Sequence, residues 1–156
     1  IKVNGIGYHD HNWNSTLFSI FKIIGWYWGK ITSKTFNLTW AYLMRNKTKG
    51  NIFAILNSDN QGFYSINPEN ISFKTDKLIS SHARKIPSMF NIKIKDVVKN
   101  IPITVDVTME IKNMHFKSLI IFPYWRFHIK TNGFISMDYY EEKVNDTHIM
   151  EFFRLA

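Results

Sequence analysis

The chain has 156 residues, 45% of them hydrophobic and 16% aromatic, and carries a formal net charge of +8 at neutral pH. That length and apolar content suit one domain with a sizeable core, and the absence of cysteine excludes disulfides, thiolate zinc sites and a cysteine nucleophile. The basic residues are dispersed and often alternate with apolar ones, as in Ile92-Lys93-Ile94-Lys95, which is the pattern of a solvated strand face, so no nucleic-acid partner is expected.

The first informative stretch is Gly5-Ile6-Gly7-Tyr8-His9-Asp10-His11-Asn12-Trp13. In an extended strand His9, His11 and Trp13 share one face, with Tyr8, Asp10 and Asn12 on the other. Two imidazoles beside an indole can bind a metal, move a proton or hydrogen-bond within a polar network. No third ligand lies at a recognisable spacing, so no metal and no cofactor is expected. The chain opens on Ile1 rather than Met, which reads as a fragment or processed product with any targeting signal upstream. A cytoplasmic or peripheral membrane location is the working expectation.

The remaining elements follow the period-2 alternation of strands. A strand is predicted over Phe21 to Ile31, and within it Gly25-Trp26-Tyr27-Trp28-Gly29 places Trp26 and Trp28 on one face, where indoles can line a ligand cavity or fill a core. Phe36 to Met44 is the next, with Trp40 and Tyr42 sharing a face. The composition of Asn46-Lys47-Thr48-Lys49-Gly50 predicts a hairpin loop into a strand over Asn51 to Leu56, and Ser58-Asp59-Asn60-Gln61-Gly62 predicts another turn.

A short strand follows over Ile71 to Lys74, then a turn or two of helix within Asp76 to Lys85. Phe90 to Ile94 and Ile101 to Ile111 are further strands. The apolar run from Leu119 to Trp125 is far below the roughly 20 residues of a membrane-spanning helix, and Pro123 interrupts it, so no integral membrane segment is expected. In Pro123-Tyr124-Trp125-Arg126-Phe127-His128, alternation sets Tyr124, Arg126 and His128 opposite Trp125 and Phe127. Asn132-Gly133 predicts a hairpin between Phe127–Thr131 and Phe134–Ser136. The last strand is predicted over His148 to Leu155. Many strands joined by short turns predict an all-β, antiparallel fold, and the aromatic content favours a lipocalin-like barrel over residues 1–156.

Phosphate-binding glycine loops, dinucleotide fingerprints, Gly-x-Ser-x-Gly and His-Glu-x-x-His are all missing, which argues against nucleotide-dependent enzymes and standard hydrolases. The opening motif, Trp26-Tyr27-Trp28-Gly29-Lys30, Trp125-Arg126-Phe127-His128 and Ile149-Met150-Glu151-Phe152-Phe153-Arg154, taken in that order, resemble the carotenoid 1,2-hydratase (hydroxyneurosporene synthase) superfamily, which includes AttH-like proteins. The resemblance implies the second of two lipocalin-like barrels, with a preceding barrel domain of the same protein as partner. It implies a lipophilic isoprenoid or lipid-like ligand and hydration, cyclisation or isomerisation by acid/base chemistry. His9, Asp10 and His11 are then the catalytic candidates, and Tyr8, Trp13, Trp26, Trp28, Trp40, Tyr42, Trp125 and Arg126 the ligand-binding ones. Tyr42 stands where the family's proton-donating aspartate aligns, and a phenol with a pKa near ~10 is a poor acid for an alkene. A non-catalytic lipid-binding or carrier module is the alternative.

Overall fold

A computed structural model describes residues 23–46, 49–59, 61–119 and 122–154. These form strands β1 (Gly25–Thr32), β2 (Phe36–Met44), β3 (Gly50–Ser58), β4 (Gly62–Ser65), β5 (Ile71–Ser81), β6 (Arg84–Val98), β7 (Ile101–Leu119), β8 (Phe122–Met137) and β9 (Tyr140–Arg154), plus a 3-10 turn at Pro68–Asn70. The fold is all-β, as the alternation predicts. Every ladder is antiparallel, and the nine strands make one sheet in the order β4-β3-β2-β1-β9-β8-β7-β6-β5. No described helix is long and apolar enough to cross a membrane.

One face of the sheet curls around a continuous core. Ile31, Leu38, Trp40, Leu56, Ile92, Val107, Phe127 and Phe152 are all buried, and they come from seven different strands. Phe73 on β5 reaches the rings of Tyr27, Trp40 and Tyr42 on β1 and β2 at centroid distances of 5.6, 4.9 and 5.4 Å. Burying each such side chain contributes about 1.5–3 kcal/mol, so this cross-sheet aromatic contact is what bends the ends of the sheet together.

Among the described residues the sheet does not close into the expected barrel. β4 has only four residues, and the chain leaves it through Ile66 and Asn67 into the 3-10 turn and then directly into β5. Pro68 has no N–H to donate to a ladder. The corner is held instead by Asp96 on β6, whose carboxylate accepts the Asn67 amide at 2.8 Å and Asn70 Nδ2 at 2.7 Å. A side-chain clasp stands where the last ladder of a barrel would be.

Two local expectations are corrected. Asn132-Gly133 is no hairpin but lies inside β8, where Asn132 pairs with Thr108 and Gly133 with Val107. Gly133 has φ +149°, and a Cβ there would collide with the Asp106 carbonyl oxygen, so glycine is required by close backbone approach. The Asp76–Lys85 segment is not helical; it belongs to the β5–β6 hairpin, which turns at His82 and Ala83. Those two have φ of 47° and 60°, and Lys99 and Asn100 repeat the pattern at 53° and 65° between β6 and β7. Consecutive left-handed residues are the primed turn that matches strand twist, here built without glycine.

Candidate functional site

The opening motif, with Tyr8, His9, Asp10, His11 and Trp13, lies outside the described residues. Of the other candidates, the structure divides the aromatic ones between two faces. Tyr27 points inward and is 4% exposed, while Trp26 and Trp28 lie half-buried on the outer face. Trp26 stacks on Phe153 at 4.1 Å there, and Phe122 meets Phe153 at 5.6 Å. Trp40 and Tyr42 point inward, as does the fully buried Trp125.

Arg126 is on the outer face, where it donates to Glu151 Oε1 from Nε at 3.2 Å and from the terminal guanidinium nitrogen at 2.9 Å. Burial and the neighbouring Glu151 push the Tyr124 phenol up to about 12. Tyr124, Arg126 and His128 do share a face opposite Trp125 and Phe127. Trp26, Trp28 and Arg126 therefore cannot line an interior site with Trp40, Tyr42 and Trp125.

What the fold does bring together is a run of inward rings. From Trp125 it passes to Phe152 at 5.3 Å, to Tyr27 at 4.3 Å, to Phe73 at 5.6 Å and on to Tyr42 at 5.4 Å. Strand register places the last inward row beyond these rings: Arg154 opposite Gly25, Gly25 opposite Met44, and Met44 opposite Gly50. This is the end where β1 begins and β9 finishes.

Glycines shape it. A Cβ on Gly29 would stand 2.8 Å from the Trp40 indole, and one on Gly50 would stand 2.8 Å from the Tyr42 hydroxyl, so both rings lie directly on backbone. Over Gly25 the nearest atoms are backbone atoms of Phe153 and Arg154.

Two donors on this face have no acceptor: Arg154 Nε at this end and Trp40 Nε1 over Gly29, two inward rows away, are both buried without a hydrogen-bond partner. An unmet buried donor costs about 1–3 kcal/mol, and more when charged. Burial pushes the Tyr27 phenol well above its ordinary range, against the opposing field of Arg154 and with a smaller push from Tyr42. Tyr27 is therefore a neutral hydroxyl donor.

The opposite end carries two saturated polar groups that alternation did not reveal. Glu142 accepts the Thr35 amide at 3.0 Å, Thr35 Oγ1 at 2.9 Å and the Ser33 hydroxyl at 2.5 Å. Burial raises its pKa, but these hydrogen bonds, with a further one from Tyr140, outweigh it and hold the carboxyl at about 2. His148 Nε2 lies 3.0 Å from both the Thr32 amide nitrogen and the Thr32 carbonyl oxygen, Nδ1 lies 3.0 Å from Thr131 Oγ1, and burial holds the imidazole below its ordinary range.

A cleft of about 280 Å³ adjoins Glu142, lined by Thr35, Phe36, Ser58, Gln61, Met137 and Tyr140. With every lone pair of the carboxylate engaged, Glu142 is a latch between the β1–β2 turn and β9, unsuited to proton transfer. Among the described residues no group of three His, Asp or Glu side chains is placed to hold a metal.

No protein-family model, curated protein or solved structure matches this chain.

Tyr27, Phe152 and Arg154 were not among the sequence candidates. A signal existed for Tyr27: Gly25, Gly29 and Ile31 share its parity, whereas Lys30 shares that of Trp26 and Trp28. None existed for Arg154, because the adjacent pair Phe152-Phe153 hides which ring faces inward.

Proposed function

We propose that this chain is a lipocalin-like domain of the carotenoid 1,2-hydratase/AttH-like kind that binds a lipophilic, isoprenoid or lipid-like small molecule at the Arg154 end of its inner face. One observation carries the reading: the inner face that ends at Arg154 holds the rings of Tyr42 and Phe73 and a buried Arg154 Nε that the protein leaves without an acceptor, and two inward rows further along it Trp40 Nε1 is buried without an acceptor as well. Apolar walls with a few convergent polar groups are the composition of a small-molecule site.

Any hydration, cyclisation or isomerisation rests on His9, Asp10 and His11, since among the described residues the charged and titratable groups acting on Tyr27 are Arg154 and Tyr42. A phenol and a guanidinium supply binding and orientation, not a proton for an alkene. That chemistry favours the carrier alternative within the described residues. The preceding barrel domain remains the proposed partner.

The test combines native mass spectrometry of the purified chain, which should retain a lipophile, with His11→Ala. Loss of turnover at unchanged ligand affinity makes the domain an enzyme. Unchanged behaviour in both makes it a carrier. Failure of any lipophile to bind the folded chain overturns the proposal.

A further inference from the structure

We infer that the Arg154 end takes the carboxylate head group of a long-chain amphipathic acid, with Arg154 as counter-ion and the Tyr27 and Tyr42 hydroxyls as flanking donors. The inference rests on the lipophile-binding reading above and narrows its ligand to an anionic one.

Arg154 is placed by backbone register, not by a flexible reach. Phe152 faces inward and stacks on Tyr27, Phe153 faces outward under Trp26, and the next residue, Arg154, returns to the inner face opposite Gly25. Its Nε is buried, and none of the ion pairs among the described residues involves it. A buried Nε–H without an acceptor is costly, and the cost is removed by a ligand that supplies one. Arg126, by contrast, already has its carboxylate in Glu151.

The shape of the row points the same way. Gly25 presents no side chain between Arg154 and Met44, and backbone atoms lie nearest to where its Cβ would be. The planar fork of a guanidinium matches the two oxygens of a carboxylate, which makes Arg the residue suited to such a head group. Tyr27 and Tyr42 oppose each other on β1 and β2 in the adjacent inward row, so both phenols border the same position. Their rings, with Phe73, offer the apolar surface that the first part of a hydrocarbon tail requires.

The experiment is a binding titration of the full chain with oleate and with methyl oleate, which differ only in the charged head. Oleate should bind at least about tenfold more tightly, equivalent to about 1.4 kcal/mol. Arg154→Met should erase that preference, weakening oleate at least about tenfold more than methyl oleate. Tyr42→Phe, which removes one hydroxyl and keeps the ring, should weaken oleate alone by a few-fold, and it serves if Arg154→Met does not fold. Equal binding of the two probes, unaffected by either variant, overturns the carboxylate assignment while lipophile binding stands. Binding of neither probe overturns both.

Discussion

Replacing Gly133 by alanine tests the most consequential difference between the sequence pattern and the fold. In a hairpin tip after Asn132, the added methyl would meet solvent. In β8 it meets the backbone of β7: the Cβ would collide with the Asp106 carbonyl oxygen and stand 2.8 Å from Val107 Cα, at a residue with φ +149°. Backbone in a central ladder cannot move aside as a side-chain tip can. The strained φ costs about 1–3 kcal/mol and the forced contact about 1–3 kcal/mol, so Gly133→Ala should destabilise by roughly 2–6 kcal/mol in all.

For a domain of this size each kcal/mol lowers Tm by about 2–4 °C, which places the fall at about 4–24 °C. Gly62→Ala is the control, because Gly62 also has a positive φ, +84°, but nothing lies within 4 Å of its Cβ position. It should cost only about 1 kcal/mol. Urea titration followed by tryptophan fluorescence reads both variants. A Gly133→Ala protein no less stable than Gly62→Ala would refute the ladder placement and restore the hairpin.

Acid should weaken the fold in two stages. His148 is held below its ordinary pKa of 6.5, so its contribution is present above that pH and lost as pH falls below it. Glu142, lowered from 4.5 to about 2, contributes above about 4.5 and loses that contribution as pH falls toward 2. Urea midpoints across pH should therefore fall in both windows, with Glu142→Gln flattening only the lower one, a limb on the order of 1–2 kcal/mol. Trp125→Phe removes the buried Nε1 hydrogen bond to Ser81 Oγ, 3.0 Å long, and should cost about 1.5–3 kcal/mol in the same titration. Ser81→Ala orphans that indole donor, and the double variant should cost less than the two singles together. Arg126→Ala breaks an ion pair whose arginine side chain is 51% exposed, and should cost at most about 1 kcal/mol with oleate affinity unchanged.

Period-2 alternation alone was sufficient for the strand class and for most strands, because a half-buried strand must place apolar residues at every second position. Ile101 to Ile111 shows this, its odd positions facing the core in β7. The Asn46–Gly50 loop and the Ser58–Gly62 turn were equally legible from their Gly and Asn content, and they lie where β2 meets β3 and β3 meets β4. Tight turns at His82-Ala83 and Lys99-Asn100 were not, since ordinary residues hold the left-handed backbone there and only the pull of the flanking ladders compensates its cost.

Alternation also says that two residues share a face without saying which face is the inside. Trp26 and Trp28 were grouped correctly, yet the inward side belongs to Tyr27, the side on which Gly29 leaves room for the Trp40 ring to lie on backbone. Whether a sheet closes is a matter of matching edges, and a four-residue β4 with a proline turn beyond it decided that against a barrel among the described residues. Arg154 next to Tyr27 depends on the β1–β9 ladder, which joins residues more than a hundred positions apart, and no local pattern encodes such a pairing. Local chemistry sets the strands; the long-range ladders alone decide which side chains meet inside them.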